Sequence, residues 1–374
     1  MSAAARHLVI VGGGVIGLTC ALEAASSGFE VTVVDPEPGR GAAWVAAGML
    51  APTAEAHFGE EELVRLLVAG ASVWPAFAED LERRIDASIG FVATGTLLVA
   101  KDVGDRAELA RTAAFQRSLD LVVHELRANE LRTLEPSLSP ALAGGALLPD
   151  DHQVSNRLLL EGLELACASL GVTFVRQRAK AINVGADRAT AILEGSGELT
   201  APDLLLCLGA ATGTMGAPIS HLPAVRPVKG HILRLRGPEP VLERTIRATV
   251  RGRSVYLVPR RDGELVVGAT VEERGFDQRV QAGEVFSLLD DARRVVPGID
   301  ELELVEASCG LRPGTTSNAP MVGRVDDGPI LVATGHYRNG ILLAPLTAQL
   351  IVAELLDRPH EAAVLVRPPT GGDG

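Results

Sequence analysis

Residues 8–11 form an uninterrupted apolar run, LVIV, with no polar alternation. Such a run predicts a strand buried on both faces, as in a parallel sheet. Small residues follow over 15–27, including Cys20, Ala21, Ala24 and Ala25, and predict a helix that Gly28 ends. Residues 30–34, with β-branched Val31-Thr32-Val33-Val34, predict a second strand. Leu63, Leu66, Leu67, Val73, Trp74, Phe77, Leu81 and Ile85 recur at helical spacing, so 60–86 should form one or two amphipathic helices. Residues 91–100 predict a strand pair turning at Thr94-Gly95. Helices are expected over 104–120 and 127–135, the second stopped at Glu135-Pro136. Residues 147–154 should be extended, with a turn at Asp150-Asp151. Ser155 or Asn156 can then cap a helix that runs to Leu170 and closes at Gly171.

Short strands are expected at 172–175, 181–184 and 189–193. Residues 203–209, DLLLCLG, are a second apolar run ending in glycine and should return the chain to the first sheet. From 225 the signal changes to closely spaced strands at 225–235, 246–250, 253–258 and 264–270, the pattern of antiparallel sheet. A helix over 281–296, a strand over 301–308, a turn over 309–314, a strand over 329–334 and a helix over 341–356 complete the reading; the tail from 366 to 374 should fray.

The opening strand runs directly into Gly12-Gly13-Gly14-Val15-Ile16-Gly17, a G-x-G-x-x-G turn at the start of a helix. Gly12 permits the tight turn, Gly14 lets a pyrophosphate approach the backbone, and Gly17 lets helix and sheet pack closely. The second strand ends in Asp35, eighteen residues after Gly17, where a carboxylate can accept from the two ribose hydroxyls of an adenosine. Strand, glycine turn, helix, strand and acid together predict a dinucleotide site, and Asp35 would repel the 2′-phosphate of NADP. NAD and FAD both remain. FAD is favoured because the chain leaves the first half of the nucleotide fold for residues 36–55, rich in Gly, Ala and Pro, and for a second domain. It then returns near its end with strand, turn and helix; a helix start at Asn339-Gly340 can stabilise a negatively charged flavin edge.

The expected fold is therefore α/β with an α+β second domain: a Rossmann-type FAD-binding domain from 1–86, 155–220 and 320–366, interleaved with an antiparallel-sheet substrate domain from 87–154 and 221–319. Ligand should bind where they meet.

Charge and cysteines narrow the partners. The 374 residues carry a net charge of −12 without a basic block, which argues against nucleic acid and anionic membrane surfaces. Cys20, Cys167, Cys207 and Cys309 are widely spaced, form no CxxC, and fit reduced thiols in a cytoplasmic protein. The histidines show no metal-binding spacing, so no metal is expected. No signal peptide is read at the start, and the apolar run 341–352 is too short for a bilayer.

GGGVIG, AAGMLAPTAE (46–55), YLVPR (256–260), LVVGAT (265–270), GLRPGT (310–315) and GHYRNGILLAP (335–345) together resemble the D-amino-acid oxidase superfamily, most closely the glycine oxidases of thiamine biosynthesis. The resemblance covers nearly the whole chain with the motifs in order. It implies bound FAD, oxidation of an amine alpha to a carboxylate, O2 as acceptor giving H2O2, and an imine that supplies the thiazole of thiamine or hydrolyses. Carried onto this sequence, it places Gly12, Gly14, Val15, Ile16, Gly17, Asp35, Pro36, Ala42, Ala43, Ala47, Gly48, Met49 and Lys180 at FAD, with His336, Tyr337, Arg338, Asn339, Gly340, Ile341 and Leu342 around the flavin end. It makes Arg312 the substrate-carboxylate arginine, Tyr256 its partner hydroxyl and Arg338 a second arginine over the flavin. Two departures stand out: Ala42-Ala43-Trp44-Val45 lacks the family's frequent hydroxyls, and Lys180 replaces a usually apolar residue.

Independently of the resemblance, Arg312 precedes Pro313-Gly314 and should sit at a rigid turn, and Arg338 just precedes a helix; two such arginines in an acidic protein suit an anionic substrate. No dedicated acid or base is expected, since hydride transfer from a neutral amine needs positioning and desolvation. A homo-oligomer is expected. The competing readings are a sarcosine or D-amino-acid oxidase, a dehydrogenase using another electron acceptor, and a flavin-binding scaffold without turnover.

Overall fold

The computed structural model describes residues 6–215 and 224–366. The predicted tail beyond 366 and residues 216–220 of the first expected domain lie outside the described residues.

The apolar run at the start is the strand His7–Val11, and it lies inside a six-stranded sheet. The order is Met321–Arg324, Ile330–Thr334, Asp203–Leu206, His7–Val11, Glu30–Val34, Thr173–Val175. All neighbours are parallel except Met321–Arg324, which runs antiparallel to Ile330–Thr334. The lack of alternation has a direct cause. Leu8 and Ile10 pack into the layer of helices Val15–Ser26, Glu61–Ile85, Asn156–Ser169 and Gly340–Leu355. Val9 and Val11 pack on the opposite face against the three-stranded antiparallel sheet Ala179–Val184, Ala189–Leu193, Glu198–Ala201. Each strand residue is thus apolar because each face is covered.

Helix Gly340–Leu355 is buried on nearly every side, which explains its continuous apolar sequence. Helix Glu61–Ile85 crosses it, and Trp74 Nε1 donates to the Leu342 carbonyl at 2.7 Å. This is one helix, and Pro75 does not split it.

The second layer is an eight-stranded sheet in the order Glu303–Gly314, Arg226–Arg236, Glu264–Gly268, Arg253–Pro259, Thr245–Val250, Thr96–Ala100, Gly144–Leu148, His124–Leu126. It is antiparallel apart from the parallel pair Thr245–Val250 and Thr96–Ala100. Successive side chains point to opposite faces, and its central strands are covered on both. Leu233, Leu257, Leu265 and Val267 face helix Ala282–Val295, whereas Ile232, Tyr256, Val258 and Val266 face Val45, Ala47 and Met49. The small-residue stretch is therefore sandwiched between the two main sheets, with Met49–Leu50 paired to His152–Gln153.

Three expectations differ. Of the strand pair over 91–100, only Thr96–Ala100 forms a strand, and Val92 makes a single bridge to Gln153. Residues 309–314 are not a turn: Glu303–Gly314 is one continuous edge strand, with Val228 opposite Arg312 and Pro227 opposite Pro313. Pro313 is tolerated because an edge strand needs fewer ladder donors. Arg312 thus projects from a strand rather than from a turn. Strands Glu198–Ala201 and Met321–Arg324 have no counterpart in the sequence reading.

Candidate active site

Between the two main sheets lies a cavity of about 940 Å³, near the upper end of the ~300–1,000 Å³ typical of ligand sites. At one end the glycine turn forms its floor. Gly12 has φ +107, and a Cβ there would sit 2.3 Å from the Cys207 carbonyl. Gly17 is equally constrained, since its Cβ would meet the Gly12 carbonyl. Gly14 instead opens onto free space and caps helix Val15–Ser26 without any side-chain cap. A helix start so exposed presents amide N–H groups and a partial positive charge to an anion. Asp35 lines the same end and accepts from Gly13 N and Glu37 N, both at 2.8 Å. Each carboxylate oxygen keeps a lone pair for a ribose hydroxyl. Pro36, Arg178, Ala179 and Lys180 continue the wall.

The middle of the wall is the small-residue stretch Ala42, Ala43, Val45–Met49. Its backbone is held from behind by buried side chains. Asn156 Nδ2 donates to the carbonyls of Ala43 and Trp44 at 2.8 Å. Arg260 donates to the Ala47 carbonyl at 2.5 Å and to Gln153 Oε1 at 2.6 Å. Arg234 pairs with Glu264 at 2.6 Å and reaches the Ala46 carbonyl at 3.4 Å. Burial, with Arg234 close by, pushes the Arg260 guanidinium down to about 10, still charged at neutral pH. These fixed donors shape a flat apolar wall without placing a polar side chain on it.

At the far end, helix Gly340–Leu355 begins at the cavity, again with no side-chain cap. His336, Tyr337, Arg338, Gly340 and Ile341 line it. Burial drops His336 to about 3, so it is neutral, and its Nε2 lies 2.9 Å from Thr347 Oγ1. Opposite are Tyr256, Arg312, Gly310 and Cys309. The Arg312 guanidinium lies over the Cα of Gly230, where a Cβ would come within 2.3 Å of Nη2. It donates to the carbonyls of Thr270 at 3.1 Å and Lys229 at 3.4 Å, and has no carboxylate partner among the described residues. Burial raises the Tyr256 hydroxyl, partly offset by Arg312 and Arg247, so it remains a protonated donor.

Of the residues singled out in the sequence, Gly17, Asn339 and Leu342 do not line the cavity: Gly17 backs the glycine turn, Asn339 is buried, and Leu342 spends its carbonyl on Trp74. The rest of them, from Gly12 to Ile341, share its wall.

The sequence reading overlooked Glu55, Arg247 and Asp151. Glu55, 7% exposed, lines the cavity and holds Arg247 Nη1 at 2.5 Å and Arg338 Nε at 2.9 Å. Burial opposes its ionisation, but the two arginines together hold its carboxyl well below the usual range. Asp151 is fully buried, accepts from Thr53 N and Ala54 N at 2.8 Å, and so anchors the segment carrying Glu55. Burial pushes it up to about 6, against those hydrogen bonds and Arg247. One signal was available: Glu55 closes the AAGMLAPTAE motif, and Arg247 interrupts an apolar strand directly opposite Tyr256.

Among the described residues no helix is long and apolar enough to cross a membrane, and no cluster of His, Cys, Asp and Glu could hold a metal ion. All four cysteines are free.

The comparisons with known proteins agree with this geometry. The chain is 35% identical over 360 residues to a glycine oxidase of Geobacillus kaustophilus, covering 95% of this chain and 94% of that protein. It is 33% identical to the bifunctional protein ThiO/ThiG of Trichormus variabilis, covering 95% of this chain and 53% of that longer protein. The crystal structure of the Geobacillus kaustophilus glycine oxidase superposes with a TM-score of 0.90 at 33% identity, covering 98% of this chain and all of that one. Residues 7–354 match the family described as DAO, FAD dependent oxidoreductase, and this chain belongs to that family of FAD-dependent enzymes.

Proposed function

We propose that this enzyme is a glycine oxidase, which converts glycine to its imine with O2 as acceptor and H2O2 as by-product. Its relatives named glycine oxidase support this reading. The observation that carries it is the Tyr256 end of the cavity, where Arg312, with no carboxylate partner of its own, stands beside the Tyr256 hydroxyl. Glycine offers only a carboxylate and an amine to recognise, and this end offers a guanidinium fork and one donor.

In this reading Gly12, Gly14, Val15 and Ile16 cradle the pyrophosphate, Asp35 and Pro36 the adenosine ribose, and Lys180 the adenine side. Ala42, Ala43, Ala47, Gly48 and Met49 would hold the ring system, and His336, Tyr337, Arg338, Gly340 and Ile341 would surround its far edge. The bound FAD supplies two-electron oxidation of the amine. The chain's own residues bind, orient and dry the substrate. Arg312 fixes the carboxylate, Tyr256 donates to it, and Arg338 supports from Glu55. The uncapped start of helix Gly340–Leu355 offers amides and partial positive charge to the ring edge. No side chain is needed as general base, and neutral His336 has its ring nitrogen engaged by Thr347.

The imine would feed the thiazole of thiamine, as the ThiO/ThiG relatives suggest. The division into an FAD domain (1–86, 155–220, 320–366) and a substrate domain (87–154, 221–319) belongs to the same reading, as does a cytoplasmic homo-oligomer; the free thiols suit a reducing compartment. Peroxide release from glycine, sarcosine and D-alanine tests the activity: turnover highest with glycine supports it, and no peroxide from glycine refutes it.

A further inference from the structure

Three guanidinium groups gather at the Tyr256 end of the cavity, and they are not equivalent. Arg247 and Arg338 both terminate on Glu55, one on each carboxylate oxygen. Asp151 lies close enough to Arg247 to interact electrostatically with it. With Glu55 and Asp151 ionised, this quartet carries two positive and two negative charges. Behind Arg312, the other buried basic side chains have acidic neighbours: Lys229 Nζ donates to Gln281 Oε1 at 2.9 Å and lies 3.8 Å from Asp277, and His231 lies 3.0 Å from Glu272. Arg312 alone meets only carbonyl oxygens and the Tyr256 hydroxyl, and no carboxylate. Glu55 Oε2 accepts no hydrogen bond: Arg338 Nε at 2.9 Å and His57 Nε2 at 3.9 Å approach it without hydrogen-bond geometry.

Resting on the role given to Arg312 above, we propose that Glu55 is a specificity-determining residue for substrate charge: by occupying Arg338 and Arg247 it leaves one open carboxylate site and excludes amines that carry a second carboxylate. A second carboxylate reaching past Arg312 would meet arginines already neutralised, and beside them a buried anion. Like charges at such range in a desolvated site are strongly unfavourable. A neutral substituent of equal size would meet no such penalty. Selection is therefore by charge as well as by volume.

Malonate and malonamate test this because they match closely in size and differ by one charge at pH 8. Each is titrated into the FAD-loaded enzyme and followed by the change in flavin absorbance, which needs no turnover. The wild-type enzyme should bind malonamate about tenfold or more tightly than malonate. Glu55→Gln frees two guanidinium groups and should move that ratio about tenfold or more towards malonate, and Arg338→Met added to Glu55→Gln should return it most of the way. Arg338→Met alone should move the ratio further against malonate, and this carries the test if Glu55→Gln does not retain flavin. A purely structural Glu55 would weaken both ligands alike and leave the ratio unmoved. Wild-type affinities for the two within twofold, or a ratio unchanged within twofold in the variants, would overturn the proposal. Arg312→Ala separates the underlying reading: if it weakens neither ligand, Arg312 is not the anchor and both fall together.

Discussion

Arg312→Ala is the perturbation whose consequence is most closely set by the structure. Besides the Tyr256 hydroxyl, the guanidinium bonds the carbonyls of Thr270 and Lys229, and the second of these is long at 3.4 Å. Its remaining N–H groups have no carboxylate to answer, and the Gly230 Cα beneath it keeps the fork in place. Truncation therefore removes little internal bonding and leaves a substrate carboxylate unpaired in a desolvated pocket, at a cost of roughly 2–5 kcal/mol. At about 1.4 kcal/mol per decade, kcat/KM for glycine should fall about 30- to several thousand-fold. Tyr256→Phe removes one donor and should cost on the order of tenfold. Arg312→Lys keeps a charge but loses the planar fork, and should fall between the two. The assay is steady-state peroxide release on variants whose flavin absorbance matches the parent. If Arg312→Ala keeps kcat/KM within about threefold, the carboxylate is held elsewhere, and Arg338 becomes the candidate.

Three further outcomes are expected. Asp35→Ala removes the acceptor facing the ribose, a charge-assisted bond worth roughly 1.5–3 kcal/mol, so flavin per protein after dialysis should drop; an unchanged ratio would contradict the role of Asp35. Cys309 lies on the cavity wall, but its Sγ donates to the Gln278 carbonyl at 2.7 Å and burial raises its thiol, so acid precipitation should release all flavin, and colour retained by the pellet would show a covalent link. Asp151 is raised from an ordinary 3.8 to about 6, so its contribution to stability is full below about pH 4 and is lost as pH rises through 6; relative to Asp151→Asn, the wild type should lose about 3 kcal/mol between pH 4 and 7. Unfolding curves with the two proteins parallel across that range would contradict the assignment.

Much of this was legible in the sequence where one physical demand dominated. A strand covered on both faces must be apolar throughout, and LVIV and DLLL both became central strands of the parallel sheet. A turn that meets a carbonyl at 2.3 Å tolerates only glycine, and Gly12 stood out for that reason. Legibility failed where long-range pairing overrode local propensity. CGLRPG reads as a turn from its Gly and Pro content, yet it extends an edge strand because Arg226–Arg236 supplies a partner along its length. It failed again for buried charges. Glu55, Arg234 and Arg260 look like surface residues in a linear reading, and only the fold shows carbonyls and counter-charges brought to them from strands and helices distant in sequence. Met321–Arg324 is too short and too glycine-interrupted to announce itself.

The central claim is that the cavity holds FAD so that glycine, anchored by its carboxylate at Arg312, gives up two electrons to it. Anaerobic addition of glycine to the purified yellow protein tests this most directly, because it needs neither O2 nor a coupled assay. The account predicts loss of the visible absorbance band of the oxidised flavin at a saturable rate, its recovery on admitting air, and bleaching slowed about 30-fold or more at subsaturating glycine in Arg312→Ala. A flavin-loaded protein whose absorbance glycine leaves unchanged would contradict it.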